Sequence, residues 1–462
     1  MIERSVLIRG GAVVTMDASR RVLGTGDVLI EDDRVVAVGP RVRPRGAAHL
    51  IDARGCAVLP GLVQAHVHLC QALLRGMADE LPLMRWLRER IWPLEAAHDA
   101  RSLRVSAELG LAELLLGGTT TILDLGTVHH QDAVFAAMAR SGIRGISGKA
   151  MMDVGAGVPR GLRESRRASL EESLRLAARW DGAAGGRLGY AFGPRFILSC
   201  SEGLLRDVAR EATQRGLRIH SHVAEHAGEK AEVRAQLGMD DVDALAAYGI
   251  AGPHVVLAHG VQLTRAQMKR VAAAGTRIVH CPSANLKLAS GIADVPAMRD
   301  AGIVVGIGAD GAPCNNRLDA FTELRQAALL AKVKHLDAAA LSAMDALALA
   351  TIDGARALGL DGSIGSLEAG KKADVIVVDL ERLHALPGGD PVSRLVYAAT
   401  AADVRHTFVD GRWIVRDGQL TTLDPAKVAG AARREGGRIL ARAGLAPPKA
   451  KPRASRDPRR AP

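Results

Sequence analysis

Apolar and polar positions follow one rhythm at the two ends of the chain and another in the middle. Near the N-terminus, Val6-Leu7-Ile8-Arg9, Ala12-Val13-Val14, Val28-Leu29-Ile30 and Val35-Val36-Ala37-Val38 are β-rich runs divided by Gly, Asp and Arg turns. The same texture returns in Asp374-Val375-Ile376-Val377-Val378, Val404-Arg405-His406-Thr407-Phe408-Val409 and Gly411-Arg412-Trp413-Ile414-Val415. Between them, short apolar strands alternate with amphipathic stretches such as Leu103–Leu116 and Leu170–Trp180, the pattern of parallel β/α units. Eight strands are expected: Gly61–His68, Thr119–Leu125, Ile143–Met152, Leu188–Arg195, Leu217–His222, His254–His259, Thr276–Cys281 and Ile303–Asp310.

Eight β/α units favour a closed (β/α)₈ barrel over an open sheet. Chain ends often lie close together, so both ends are expected to build one small β-sandwich beside the barrel. The expected layout is residues 1–60 and 361–425 as the two parts of the sandwich, 61–360 as the barrel, 426–446 as a C-terminal helix and 447–462 as a disordered basic tail.

Composition narrows the picture. The chain has 462 residues, 48% hydrophobic and 24% charged, an ordinary globular balance. Aromatic residues make up only 3%, so the core must rest on Leu, Val, Ile and Ala. A net charge of +11 invites a nucleic-acid reading. Much of it sits in the tail, where Lys449, Lys451, Arg453, Arg456, Arg459 and Arg460 face Asp457 alone, and no basic groove with interleaved aromatics accompanies it. No nucleic-acid partner is expected. The five cysteines, Cys56, Cys70, Cys200, Cys281 and Cys314, are scattered without a C-x-x-C pair, so reduced thiols in the cytoplasm are expected. Met1-Ile2-Glu3-Arg4 leads into strand-like sequence rather than a signal peptide, and no apolar run approaches a membrane span. A homo-oligomer stays open.

Barrel enzymes place their chemistry at the C-terminal ends of the strands. The first expected strand ends in His66-Val67-His68, where alternation turns both imidazoles the same way. The fifth ends in Ile219-His220-Ser221-His222, the sixth in Leu257-Ala258-His259 and the eighth in Gly308-Ala309-Asp310. An isolated H-x-H is a weak signal, but four separate strand ends carrying such groups are a strong one. Imidazole and carboxylate suit Zn²⁺ or Fe²⁺.

On these motifs the sequence resembles the amidohydrolase superfamily, in the branch of triazine hydrolases, guanine deaminases and S-adenosylhomocysteine, 5′-methylthioadenosine and 5′-deoxyadenosine deaminases. The matching stretches are Pro60-Gly61-Leu62-Val63-Gln64-Ala65-His66-Val67-His68, His222-Val223-Ala224-Glu225, Ala258-His259-Gly260, the run from His280 to Leu288, Asp310-Gly311-Ala312-Pro313-Cys314-Asn315-Asn316, and the return to the β-rich end at 365–374. The resemblance implies that His66, His68, His222 and Asp310 hold one divalent metal ion, Zn²⁺ in the first place and Fe²⁺ as the alternative. It places His259 beside the attacking water or the substrate. Two-metal members commonly carry a bridging lysine on strand four; here that strand ends in Gly193-Pro194-Arg195, which favours one ion. Lys149 ends strand three and is expected to meet substrate or solvent.

The reaction so implied is hydrolytic deamination of a nitrogen heterocycle. A metal-activated water attacks the ring, with Asp310 as both ligand and base. Glu225, three residues beyond His222, is expected to protonate the ring nitrogen and assist ammonia's departure, and His259 to stabilise the attacking oxygen. The other zinc-deaminase class, with H-x-E and P-C-x-x-C, is excluded because Pro313-Cys314 is followed by Asn315-Asn316-Arg317.

Gln71–Glu95 follows strand one, where specificity loops lie. Trp86 and Trp92 either cover a flat base or pack the loop. By resemblance, Glu95 stands where adenosine-type deaminases place a carboxylate on the ribose diol. Arg195 replaces the histidine such enzymes often carry after Gly-Pro, as in guanine deaminases, and His280 is counted among the substrate contacts. The expected substrate is an adenosine-type nucleoside (5′-deoxyadenosine, 5′-methylthioadenosine or S-adenosylhomocysteine); a free purine base or s-triazine, deaminated or dechlorinated, is the alternative.

Overall fold

The computed structural model describes residues 5–445, so the basic tail expected at 447–462 lies outside the described residues. Eight parallel strands stand side by side in chain order: Leu62–Val67, Thr119–Leu125, Arg144–Gly148, Leu188–Pro194, Arg218–Val223, Val255–His259, Arg277–His280 and Val305–Ile307. The first and last meet where Val67 bridges Asp310, whose N–H donates to the His66 carbonyl at 3.1 Å. That closure makes the sheet a (β/α)₈ barrel, as expected. Every residue of Thr119–Leu125 is buried, the continuous burial of a parallel strand covered on both faces.

Helices between the strands follow local rules. In Glu202–Arg215, Ser201 Oγ accepts from the Leu204 N–H at 3.2 Å, and Gly216 ends the helix at φ +67°. Its buried Leu204, Leu205, Val208 and Ala212 fall on one face, against the fourth and fifth strands. Each such leucine or valine stabilises the layer by about 1.5–3 kcal/mol.

Two strands differ from expectation. The third breaks after Gly148, resumes as Ala150–Met151 and leaves Lys149 at the break. A Cβ on Gly148 would lie 1.7 Å from the Ala191 carbonyl oxygen, so main chain presses on main chain there and only glycine fits. The eighth keeps ladder geometry only over Val305–Ile307, then turns so that Asp310 reaches φ +62°.

Both chain ends form one mainly antiparallel nine-stranded sheet. Its two halves join where Cys56–Pro60 pairs antiparallel with Val375–Asp379, Val58 opposite Val377. Alternation divides the faces: Val58, Val375 and Val377 enter a small core with Val6, Ile8, Val28, Ile30 and Phe408, while Leu59, Ile376 and Val378 pack into the barrel's core. A terminal helix, Pro425–Arg442, lies along the helix Ala100–Leu116. Among the described residues, no helix is long and apolar enough to cross a membrane.

A buried ion group pins sheet to barrel. Arg144, opening the third strand, donates from Nε and Nη2 to the two oxygens of Asp374 at 2.8 and 3.1 Å, and to Asp410. Removing the cation strands two acids in a desolvated joint. Arg144→Ala is therefore expected to lower unfolding free energy by about 3–5 kcal/mol in chemical denaturation. An unchanged midpoint would mean that the apolar face alone holds the two parts together.

Candidate metal centre

The histidines at the strand ends have their tautomers set by hydrogen bonds behind them. His68 Nδ1 lies 2.6 Å from the Leu125 carbonyl and His222 Nδ1 2.6 Å from the Arg195 carbonyl. A carbonyl only accepts, so both Nδ1 atoms carry the proton and both Nε2 atoms present lone pairs. His66 reaches the same state through a relay. His220 Nδ1 donates to the Val256 carbonyl at 2.9 Å, its Nε2 must then accept, and the proton it accepts is that of His66 Nδ1 at 2.7 Å. His66 Nε2 is left buried with no hydrogen-bond partner.

These lone pairs converge on Asp310. Its Oδ1 lies 3.2 Å from His66 Nε2 and 3.3 Å from His68 Nε2, and His68 Nε2 lies 3.2 Å from His222 Nε2. Four acceptors in contact with no proton between them repel one another unless a cation sits among them. Tetrahedral ligands about 2.1 Å from one ion stand roughly 3.4 Å apart, so the spacing fits a divalent metal ion. Burial pushes His66 down to about 4 and His222 well below the ordinary imidazole range, which favours the neutral ligand form. Burial would raise Asp310, but the facing imidazoles, His66 first and His68 next, hold it well below the carboxylate range.

His259 and Glu225 flank this group. His259, at φ +79°, donates from Nδ1 to Asn285 Oδ1 at 2.9 Å. Its Nε2 is 3.5 Å from Glu225 Oε2 and 3.9 Å from Asp310 Oδ2. His66, His222 and His259 form a second combination of donor atoms within 4.8 Å. Glu225 is pushed well above the usual carboxyl range by burial first and by the charge of Asp310 next, against the opposing pull of Arg195. Burial and the neighbouring carboxylate thus favour the protonated form of Glu225.

A small cavity opens over these groups. Its walls include His68, His222, Glu225, His259 and Asp310, with Trp86, Leu83, Leu87 and Phe196 supplying apolar surface and Gln71, Arg195 and Glu229 polar groups. Trp86, 4% exposed, packs in the core and lines the cavity as well. Three expected substrate contacts, Glu95, Lys149 and His280, are not among the residues lining this cavity. Glu95 is buried behind Arg195, which forks onto it with Nη2 3.2 Å from Oε1 and Nη1 on Oε2, while Gln71 Nε2 donates to Oε1 at 2.7 Å. Arg195 holds Glu95 ionised against its burial, and both oxygens are engaged, so this arrangement does not offer them to a ribose diol. Lys149 is fully buried on Glu164, 3.4 Å from Ser169 Oγ, because the strand breaks beside it. His280 is buried off the cavity wall with Nδ1 unpartnered.

Sequence reasoning passed over three groups that bear on the site. His220 repeats, two residues before His222, the alternation seen in His66 and His68. Gln71 and Glu229, in the short helices that follow the first and fifth strands, carry no motif beyond their polarity.

The sequence model of the amidohydrolase family matches residues 57–414. The chain belongs to that family. This amidohydrolase is 39% identical over 424 residues to a 5′-deoxyadenosine deaminase of Methanothermobacter thermautotrophicus, covering 92% of this chain and 96% of that protein. It is 38% identical over 441 residues to a 5-methylthioadenosine/S-adenosylhomocysteine deaminase of Pelotomaculum thermopropionicum, covering 95% and 99%. A crystal structure of an adenosine deaminase from Xanthomonas campestris with bound zinc superposes with TM-score 0.89 at 35% identity, covering 94% of this amidohydrolase and 98% of the other chain.

The relay behind His66 generates a prediction. His220→Phe removes the acceptor that fixes His66 Nδ1–H and should weaken divalent-ion affinity about 10- to 100-fold, the usual effect of losing a partner behind a ligand. Competition with a chromophoric chelator reads it directly. Wild-type affinity in the variant would mean that His66 needs no relay.

Proposed function

We propose that this amidohydrolase deaminates an adenosine-type nucleoside (5′-deoxyadenosine, 5′-methylthioadenosine or S-adenosylhomocysteine) and releases ammonia, with one divalent ion, Zn²⁺ before Fe²⁺, held by His66, His68, His222 and Asp310. The observation that carries this reading is that Glu225 and Asp310 flank His259 Nε2 on one cavity wall, Glu225 Oε2 at 3.5 Å and Asp310 Oδ2 at 3.9 Å, with burial and the Asp310 charge pushing the Glu225 carboxyl well above its usual range. Acid and base are thereby separated by environment. The deaminase names of relatives matching almost the whole chain support the substrate class.

When bound, the ion supplies Lewis acidity that brings the pKa of a water toward about 7. Asp310 accepts a proton from the attacking water, and His259 Nε2, its lone pair turned inward, orients that water. Glu225 gives its proton to the ring nitrogen beside the attacked carbon as the new C–O bond forms. The proton on Asp310 passes to the amino group, the C–N bond breaks and ammonia leaves. The hydroxyl proton returns to Glu225, leaving a ring carbonyl next to a protonated ring nitrogen.

One observation favours the second reading, a free base or s-triazine. With Glu95 engaged by Arg195, the wall offers Gln71 Oε1, which is buried and without a partner, and the Arg195 donors. That pair suits a ring bearing an N–H beside an acceptor. Comparing kcat/KM for the three nucleosides with guanine and a chloro-s-triazine separates the readings. The nucleoside reading expects an advantage of at least about tenfold for one nucleoside, near 1.4 kcal/mol of transition-state discrimination. Preference for a base or triazine transfers the assignment to the alternative.

Glu225→Gln tests the proton carrier. It should keep its metal and lose about 10²- to 10⁴-fold in kcat with a modest change in KM. Near-wild-type turnover would remove Glu225 from the mechanism; loss of metal would place it in the coordination shell.

A further inference from the structure

The main chain that carries Glu225 leaves the fifth strand at Val223 and turns sharply. Ala224 sits at φ +50°, in the left-handed region that a side chain disfavours. The Val223 and Ala224 carbonyls accept from Gly260 N–H at 3.0 Å and Gln262 N–H at 2.8 Å. The two N–H groups of the turn go to carboxylates. Ala224 N–H donates to Asp241 Oδ2, whose Oδ1 accepts from Val242 N–H at 2.7 Å. Glu225 N–H donates to Glu229 Oε2 at 3.3 Å.

Asp241 and Glu229 are each 1% exposed, so with Glu225 three carboxyl groups share one desolvated corner. Lys230 acts on Asp241 through its charge, but its Nζ bonds the Gln262 carbonyl at 3.0 Å and lies 3.3 Å from Asp240. Gathering acids in a dry corner is unfavourable, and apolar side chains of similar size would fill it at lower cost. What the acids add is direction. Each fixes one N–H of a disfavoured turn, and that turn aims Glu225 Oε2 to within 3.5 Å of His259 Nε2.

We propose that Glu229 and Asp241 are positioning residues for Glu225, holding through its main chain the left-handed turn that points its carboxyl into the cavity. The kinetic consequence rests on the reading of Glu225 as proton carrier; the structural consequence does not. Glu229 also lines the cavity, so direct contact with substrate is the competing role.

The test uses the metal-loaded full chain. Glu229→Met keeps the length of the side chain and removes the acceptor, whereas Glu229→Gln keeps an acceptor oxygen. Glu229→Met should lose about 10- to 100-fold in kcat with KM nearly unchanged, and Glu229→Gln should recover most of it. In the Glu225→Gln background, Glu229→Met should cost nothing further, because a residue acting through another has no effect once that other is disabled. Amide hydrogen exchange across 222–226 should rise about tenfold or more in Glu229→Met. A full additional loss in the Glu225→Gln background assigns Glu229 to direct contact and overturns the proposal, as does unchanged exchange. Should Glu229→Met not fold, Asp241→Asn, which leaves one acceptor for two N–H groups, decides by the same measurements. A fully active Glu225→Gln defeats the proton-carrier reading alone, and the exchange measurement still decides whether the carboxylates hold the turn.

Discussion

Three imidazole lone pairs and one carboxylate meet at the mouth of the barrel with no proton among them, and much of the molecule serves to keep them so. Left to itself, an imidazole in water takes either tautomer and moves its proton freely. Here the Leu125 and Arg195 carbonyls, and the His220 relay to Val256, fix Nδ1–H on His68, His222 and His66. Those partners belong to the second, fourth, fifth and sixth strands and the ends just beyond them. The parallel register of the barrel is therefore what decides the tautomers of the site's histidines.

Closure of the barrel and completion of the site are the same event. Asp310 is delivered by the contact that joins the eighth strand to the first, since its N–H bonds the His66 carbonyl and its neighbour in the bridge is Val67. The surroundings then divide the two acids. The histidines facing Asp310 pull its carboxyl well below its usual range, while burial and the Asp310 charge push Glu225 well above its own. The nine-stranded sheet has a different task. It covers the barrel's flank with Leu59, Ile376 and Val378 and is tied to the third strand by Arg144.

Much of this was legible in the sequence because two short rules suffice for it. Period-two alternation puts His66 and His68 on one side of a strand, and barrels expose the strand ends, so the histidines and Asp310 could be grouped without knowing any contact. Contacts across long separations were not legible. By resemblance Glu95 was read as a partner of a ribose diol, and nothing near it in the chain reveals that Arg195 forks onto it. Lys149 was read as meeting substrate or solvent at the end of strand three, but the strand breaks at Gly148, where backbone meets backbone, and the ammonium pairs with Glu164. His220 was visible as part of His-x-His but without a role, since the relay depends on the relative tilt of two rings, 70° here, which alternation does not specify. The turn at Ala224 left no mark, because alanine is an unexpected residue at positive φ.

The central claim is that His66, His68, His222 and Asp310 form one ligand set around one ion. Anomalous diffraction from crystals of the metal-reconstituted protein, collected on both sides of the metal's absorption edge, tests it most directly. The account predicts a single strong peak per chain, bounded by the Nε2 atoms of His66, His68 and His222 and a carboxylate oxygen of Asp310, with Glu225 outside the coordination shell. A second peak near Lys149 or Glu225, or a single peak held by His259 in place of one of the four, would contradict it.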